Sequence, residues 1–344
     1  MRCSGRRVGL SGEESKGQTL AQVAEGRHPM PAAVRLQPMT WFDSLAASLI
    51  PLVPKAIMRK FSLRYIAGEL REDALRRGAQ LAAAGYRVTY DQLGEAVTDQ
   101  AEVDAATEEN LRLLQDLADE KQELNISVKP TQMGLNLSEQ ACIDSVSKIL
   151  EKAQSLNAFV RFEMEESETV DGTLRVFHTL REKFGATVGI VIQSMLFRTE
   201  EDAKKLVAVD APLNVRLVKG IYVESAEISF QDGHEVNQSY LRTLRILLEG
   251  GAFVGVASHD EVLIDGLKQL IQENPAWKEQ CEVQMLLGVR EELRQEVREN
   301  GLPVRVYVPY GEAWYLYVVR RLKKNPKLAR YAMMGMLKKQ EKLA

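Results

Sequence analysis

From Tyr86 onward the chain repeats one pattern: a short run of β-branched and other apolar residues, then a longer stretch whose apolar positions recur at helical spacing. The short runs are YRVTYDQLG from Tyr86, ELNISVKPT from Glu123, AFVRFEME from Ala158, ATVGIVIQS from Ala186, LNVRLVKGIY from Leu213, AFVGVASH from Ala252, CEVQMLLG from Cys281 and LPVRVYVPYG from Leu302. Strand-like runs alternating with helical segments predict a parallel sheet with crossover helices. Eight such units in about 240 residues match the size of a closed barrel. An open doubly wound sheet usually uses fewer strands and a glycine-rich first turn, and no GxGxxG follows the first run. The expected fold class is therefore α/β, a (β/α)8 TIM-type barrel spanning residues 86–325.

Ahead of the barrel, residues 66–84 are rich in Ala, Leu, Arg and Glu and are followed by Gly85, which predicts a helix with a glycine stop. This helix belongs to an N-terminal helical arm over 39–85, and a C-terminal helical tail is expected over 326–344. Within the arm, WFDSLAASLIPLVPKAIMRK from Trp41 is interrupted by Pro51 and Pro54, which break a continuous helix. Two readings of this run stand: an arm packed over the barrel, or a peripheral contact with a membrane surface through Leu49, Ile50 and Leu52 beside Lys55, Arg59 and Lys60. No stretch of the sequence approaches the ~20 apolar residues needed to cross a bilayer. Residues 1–38 carry Arg2, Arg6, Arg7, Arg27 and Arg35 among small and polar residues, as a transit peptide does, but Glu13, Glu14 and Glu25 oppose that reading. They are expected to be a disordered tail, or an over-extended start with Met39 as the true beginning.

Charge and cysteine content remove several functional classes. The 45 Lys and Arg against 48 Asp and Glu give a net charge of -3, so no overall attraction to nucleic acid is expected. Cys3, Cys142 and Cys281 form no CxxC pair and the histidines show no HExxH spacing, which argues against a disulfide framework and against a zinc site. Cys142 and Cys281 fall in apolar segments and read as reduced core residues, consistent with a cytoplasmic setting, free or peripheral on the inner membrane face.

In a (β/α)8 barrel the chemistry gathers at the C-terminal ends of the strands. That rule selects Lys129, Glu163, Gln193, Arg216, Lys219, His259 and Tyr307, which converge on one mouth. Arg216 and Lys219 sit among apolar neighbours, where buried cations need partners. They are either structural ion pairs to a neighbouring strand or cations beside an electron-rich cofactor ring, where an arginine stabilises an anionic reduced flavin. After the last strand, Arg320 and Arg321 lie about 100° apart on a helix. They are either a solvated surface doublet or a guanidinium clamp for a small amino acid's carboxylate, with Tyr317 one turn earlier and Tyr307 nearby as an aromatic wall.

Taken in order, ISVKPTQMGL, VRFEMEES, VIQSM, VRLVKGIY, VASHD, VQMLLG and YVPYGEAWYLYVVRR resemble the proline dehydrogenase family over roughly residues 60–325. The resemblance implies a distorted barrel that binds FAD at its mouth and oxidises L-proline to 1-pyrroline-5-carboxylate, the first step of proline catabolism. It implies hydride transfer to flavin N5 and reoxidation by a quinone or other electron acceptor. Lys129, Arg320 and Arg321 resemble the residues that hold the substrate carboxylate, and Tyr222, Leu286, Tyr307 and Tyr317 the wall of the substrate pocket. Arg216 resembles the arginine near flavin N5, and Gln193 the glutamine bonded to the isoalloxazine. Met164, Val218, Lys219, Gly220, Ile221, Ser258 and His259 match positions lining the cofactor. Glu163 stands where the family usually has aspartate, which lengthens the carboxylate by one methylene beside Lys129 and Arg216. Lys324 stands where a non-basic residue is common, so the site is expected to close differently. The alternatives are a flavin barrel acting on another cyclic amino acid, or a degraded barrel that binds proline without turnover.

Overall fold

A computed structural model describes residues 58–59, 62–94, 96–209, 212–315 and 317–319. Residues 1–57 and the tail 326–344 lie outside the described residues, as do Arg320, Arg321 and Lys324. All eight expected strands are present: β1 Arg87–Gln92, β2 Asn125–Val128, β3 Phe159–Phe162, β4 Val188–Gln193, β5 Asn214–Val218, β6 Phe253–Ala257, β7 Cys281–Leu286 and β8 Val304–Tyr310. They are parallel neighbours in chain order, and β8 pairs with β1 to close the barrel. The helices are α1 Arg71–Ala83, α2 Gln100–Asp119, α3 Glu139–Ser155, α4 Val170–Phe184, α5 Thr199–Val207, α6 Gly233–Glu249, α7 Glu261–Glu273 and α8 Glu291–Glu299. None of the described helices is long and apolar enough to cross a membrane.

Several helix starts follow from single polar residues. Asp99 accepts from the Glu102 N–H at 3.0 Å, Ser138 from Ala141 at 3.0 Å, and Asp232 from His234 at 2.8 Å. Each satisfies an N–H that the first turn leaves without an intrahelical partner. The helix expected over 66–84 begins later, at Arg71. Its first residues are spent on β8 instead: Ala67 N donates to Pro309 O at 2.8 Å, and Gly311 N to Gly68 O at 3.1 Å. The glycine stop holds, since Gly85 adopts a φ of 82°, a conformation that costs glycine no Cβ clash.

Strand alternation divides two environments. Val88, Tyr90, Ile126, Val128, Val160, Phe162, Val215, Leu217, Val254 and Val256 are buried against the helices and make the main apolar core. The opposite parity is polar, and the register lines it up: Asp91 lies opposite Ser127, Ser127 opposite Arg161, Arg161 opposite Gly189, Arg216 opposite Gly255, and Gln284 opposite Arg305. The barrel is thus filled with charged and amide side chains, not with the branched aliphatic layers common in this fold. Gly255 makes room for them, since a Cβ there would lie 2.4 Å from Gln284 Nε2. Gly255→Ala is expected to cost about 1–3 kcal/mol by overpacking, read as a lowered urea midpoint with unchanged slope.

At the N-terminal end of the barrel, Glu282 is nearly inaccessible and meets Arg305 at 2.5 Å, Arg87 at 2.9 Å and the Gln284 amide at 2.8 Å. Burial pushes this carboxyl upward, but Arg305, Arg87 and Gln284 outweigh it and hold it below its ordinary value. A depressed folded value means that this group's stabilisation is full above the ordinary carboxylate range and is lost as pH falls through the folded value. Glu282→Gln is expected to cost about 3–5 kcal/mol at neutral pH, because Arg305 is left buried without its main partner. Its stability should also decline less steeply than the wild type's below about pH 4, which urea unfolding across pH will read.

Candidate active site

The C-terminal mouth is organised around Arg216. From β5 its guanidinium crosses the interior: Nη1 donates to Glu163 Oε1 at 2.5 Å and to Ser127 Oγ at 3.3 Å, and Nε donates to Gln284 Oε1 at 2.6 Å. Its Cζ also lies 5.1 Å from the centre of the Tyr307 ring, a cation–π distance. One side chain thereby ties β2, β7, β8 and the segment after β3 to β5. Glu163, expected from the resemblance to stand in place of an aspartate, reaches Arg216, so its extra methylene is accommodated.

Beside this pair, Lys129 Nζ contacts Asp91 Oδ1 at 2.5 Å and the Gln92 carbonyl at 3.2 Å. Burial alone would lower the lysine, but the carboxylates of Asp91, Glu163 and Glu165 prevail, and the ammonium keeps its proton more tightly than usual. Complete burial raises the Asp91 carboxyl against the opposing pull of Lys129. The Tyr307 phenol is pushed well above its ordinary value, first by burial and then by Asp91 and Glu163.

Gln193, at the end of β4, is held by its amide nitrogen, which donates to the carbonyls of Met164 at 3.2 Å and Glu165 at 3.0 Å. Its Oε1 is buried without a partner. Glu165 fixes the same loop, accepting from Thr131 N and Thr131 Oγ1, both at 2.8 Å. After β5, Gly220 has a φ of 111°, and a Cβ there would lie 2.3 Å from Met195 Sδ, so only glycine fits this turn. Ile221 beyond it is 53% exposed, whereas Val218 and Tyr222 pack partly against the core.

Lys219 does not join the interior cluster. It pairs with Asp260 at 2.5 Å, and Asn237 donates to the same carboxylate oxygen at 3.1 Å. Asp260 also caps α7 through Val262 N at 3.0 Å. Ser258 is buried and its hydroxyl accepts from Asp260 N at 3.1 Å; His259 Nε2 accepts from Leu286 N at 2.9 Å and so braces the end of β7. Tyr317 is partly buried just before the end of the described residues. Sequence reasoning missed Asp91, Ser127, Glu165, Asp260 and Gln284. Asp91 and Gln284 carried a usable signal, each being a polar residue at the inward parity of its strand, as Arg216 is.

A closed parallel barrel whose interior cations and carboxylates meet at the C-terminal strand ends is a (β/α)8 protein with an enzyme-like mouth. The chain belongs to the proline dehydrogenase family, whose sequence profile matches residues 74–330. It is 34% identical over 276 residues to Proline dehydrogenase 1 of Bacillus subtilis, covering 80% of this chain and 90% of that protein. It is also 34% identical over 279 residues to Proline dehydrogenase of Deinococcus radiodurans, covering 80% and 89% of the two chains. Among solved structures, proline utilization A from Bdellovibrio bacteriovorus, inactivated by N-propargylglycine, shares the fold with a TM-score of 0.74 and 24% identity. That match spans 83% of this chain and 36% of the longer one.

Proposed function

We propose that this protein binds FAD at the barrel mouth and oxidises L-proline to 1-pyrroline-5-carboxylate, the first step of proline catabolism. The observation that carries the reading is the coincidence of family membership with the linked Arg216, Glu163, Lys129 and Asp91 array at the strand ends. The residues present fit a flavin. Gln193 offers a buried acceptor without a partner to a ring N–H, and Arg216 supplies positive charge held by Glu163. Met164, Val218, Lys219, Ile221, Ser258 and His259 complete the proposed cofactor lining. When bound, FAD accepts the hydride equivalent that leaves the proline ring carbon next to nitrogen.

The chain's own contribution is positioning and charge. Lys129 stays protonated and offers an ammonium to the substrate carboxylate; Arg320 and Arg321 are proposed as a further clamp on the same group. Tyr222, Leu286, Tyr307 and Tyr317 form the proposed wall against the pyrrolidine ring. Tyr307 keeps its proton at neutral pH, so its phenol is not a base there. On this reading proline reacts as its neutral amine, whose lone pair assists formation of the C=N bond, with the ammonium proton released to solvent beforehand. On this account kcat/KM rises with pH through the neutral and alkaline range, following the neutral amine, and a bell centred near neutrality argues for an enzymic base. Electrons then leave to a quinone or another acceptor, with residues 41–60 proposed as the membrane-facing contact.

The test is anaerobic addition of L-proline to the FAD-loaded protein. Bleaching of the bound flavin is expected, and binding without bleaching refutes the reading. In Arg321→Met the apparent Kd for proline in this assay is expected to rise about 10–100-fold through loss of a charge-assisted contact. An unchanged value removes Arg321 from the clamp.

A further inference from the structure

The barrel interior contains a cation that the mouth chemistry does not use. Among the described residues, Lys129 pairs with Asp91, Arg216 with Glu163, and Arg305 with Glu282. Arg161, inward on β3 and only 2% exposed, has no carboxylate of its own. Its Nη1 donates to the carbonyls of Ile190 at 3.0 Å and Asn214 at 2.8 Å, and its Nη2 to Asn214 Oδ1 at 2.5 Å. Its Nε is buried with no acceptor. Burial, then the neighbouring Arg216 and Arg305, push this guanidinium well below its ordinary value, against the pull of Glu163 and Glu282. Its Cζ also lies 4.8 Å from the centre of the Phe159 ring, but carbonyls, an amide and a ring face leave the buried charge without a contacting counter-charge, and a carboxylate relieves that cost.

The space for a counter-ion is present at the end of the barrel opposite the proposed active site. A cavity of about 450 Å³ opens there, lined by Asn125, Asn157, Arg161, Thr187, Asn214 and Arg305 among others. The Asn125 and Asn157 amides and the Thr187 hydroxyl add neutral donors around the same opening. Gly189 keeps the guanidinium's place, since a Cβ there would stand 2.6 Å from Arg161 Nη1. Glu123 and Glu282 also border the cavity, and their charge disfavours a dianion. We propose that this N-terminal cavity is a binding site for a small monovalent carboxylate, with Arg161 as its cationic anchor. A planar two-oxygen group matches the guanidinium and the surrounding amide donors better than a spherical ion does.

The experiment uses the full FAD-loaded chain and sodium acetate as the probe. Thermal unfolding is followed during an acetate titration of the wild type and of Asn214→Asp, which places a carboxylate beside Arg161 from within. General salt effects act on both proteins, so the difference isolates the site. The wild type is expected to gain a saturable rise in Tm of about 2 °C at tenfold excess over Kd, beyond any change in Asn214→Asp. Equal responses in the two proteins overturn the proposal. Should Asn214→Asp fail to fold, acetate-soaked crystals of the wild type decide: density for acetate within about 4 Å of the Arg161 guanidinium is expected, and its absence there overturns the site.

Discussion

Replacing Arg216 by methionine is expected to lower the rate of flavin reduction by proline about 10²–10³-fold, the scale for removing one fixed charge from a site of developing charge. The same change is expected to destabilise the fold by about 3 kcal/mol, because Glu163, only 14% exposed, is left without its cation. Gln284 and Ser127 lose a donor as well. The two effects are separable. In the double variant Arg216→Met with Glu163→Gln, no carboxylate is stranded, so urea unfolding should recover much of the lost stability while stopped-flow reduction stays slow. Recovery of the rate together with the stability would show that Arg216 acts only as a strut between strands, and its proposed place beside the flavin would be withdrawn.

Lys129→Met is expected to reduce kcat/KM about 10–100-fold, chiefly through KM, since the proposed contact is with a carboxylate that does not change during the reaction. The stability cost should be smaller than for Arg216. Burial already raises the Asp91 carboxyl, so once Lys129 is gone that group can take up a proton instead of remaining a buried anion. Asp91→Asn keeps the ammonium but loosens its tether at 2.5 Å, and an intermediate rise in KM is expected. Steady-state kinetics of the two variants beside the wild type check both statements. A fall in kcat with KM unchanged in Lys129→Met contradicts a carboxylate-holding role.

The site was legible in part, and for uneven reasons. Arg216 was visible because a charged residue within VRLV needs a partner wherever that run is buried. Two readings of it stood open in the sequence, and the geometry contains an ion pair, though not to an adjacent strand: Glu163 follows the third strand, two strands away from β5. Lys219 carried the same signal three residues later, yet its partner is Asp260 at the start of α7, outside the interior cluster. Three residues separate the two cations, which puts them at opposite strand parity. The difference lies in strand parity near the barrel's rim, where the chain leaves the sheet at Val218. Asp91 lay within the first strand run but was not singled out. Only closure of β8 onto β1 buries it completely and leaves Lys129 as its partner.

By itself the sequence determined the number, order and approximate limits of the eight strands, because strand and helix periodicities are local properties that tolerate no exchange between them. It also determined the family, through motifs read in order along the chain. Tertiary structure alone decided which face of each strand is polar inside the barrel and which distant side chains meet there. Ser127, Glu163, Arg216 and Gln284 belong to four different strand units and converge only when the sheet closes. It also decided that the first residues of the expected 66–84 helix pair with β8, since backbone groups beside an open strand end are better satisfied there than in a frayed first turn. Pairings between residues 50 to 90 positions apart leave no trace in any local pattern, which is why the identity of the mouth residues was readable and their geometry was not.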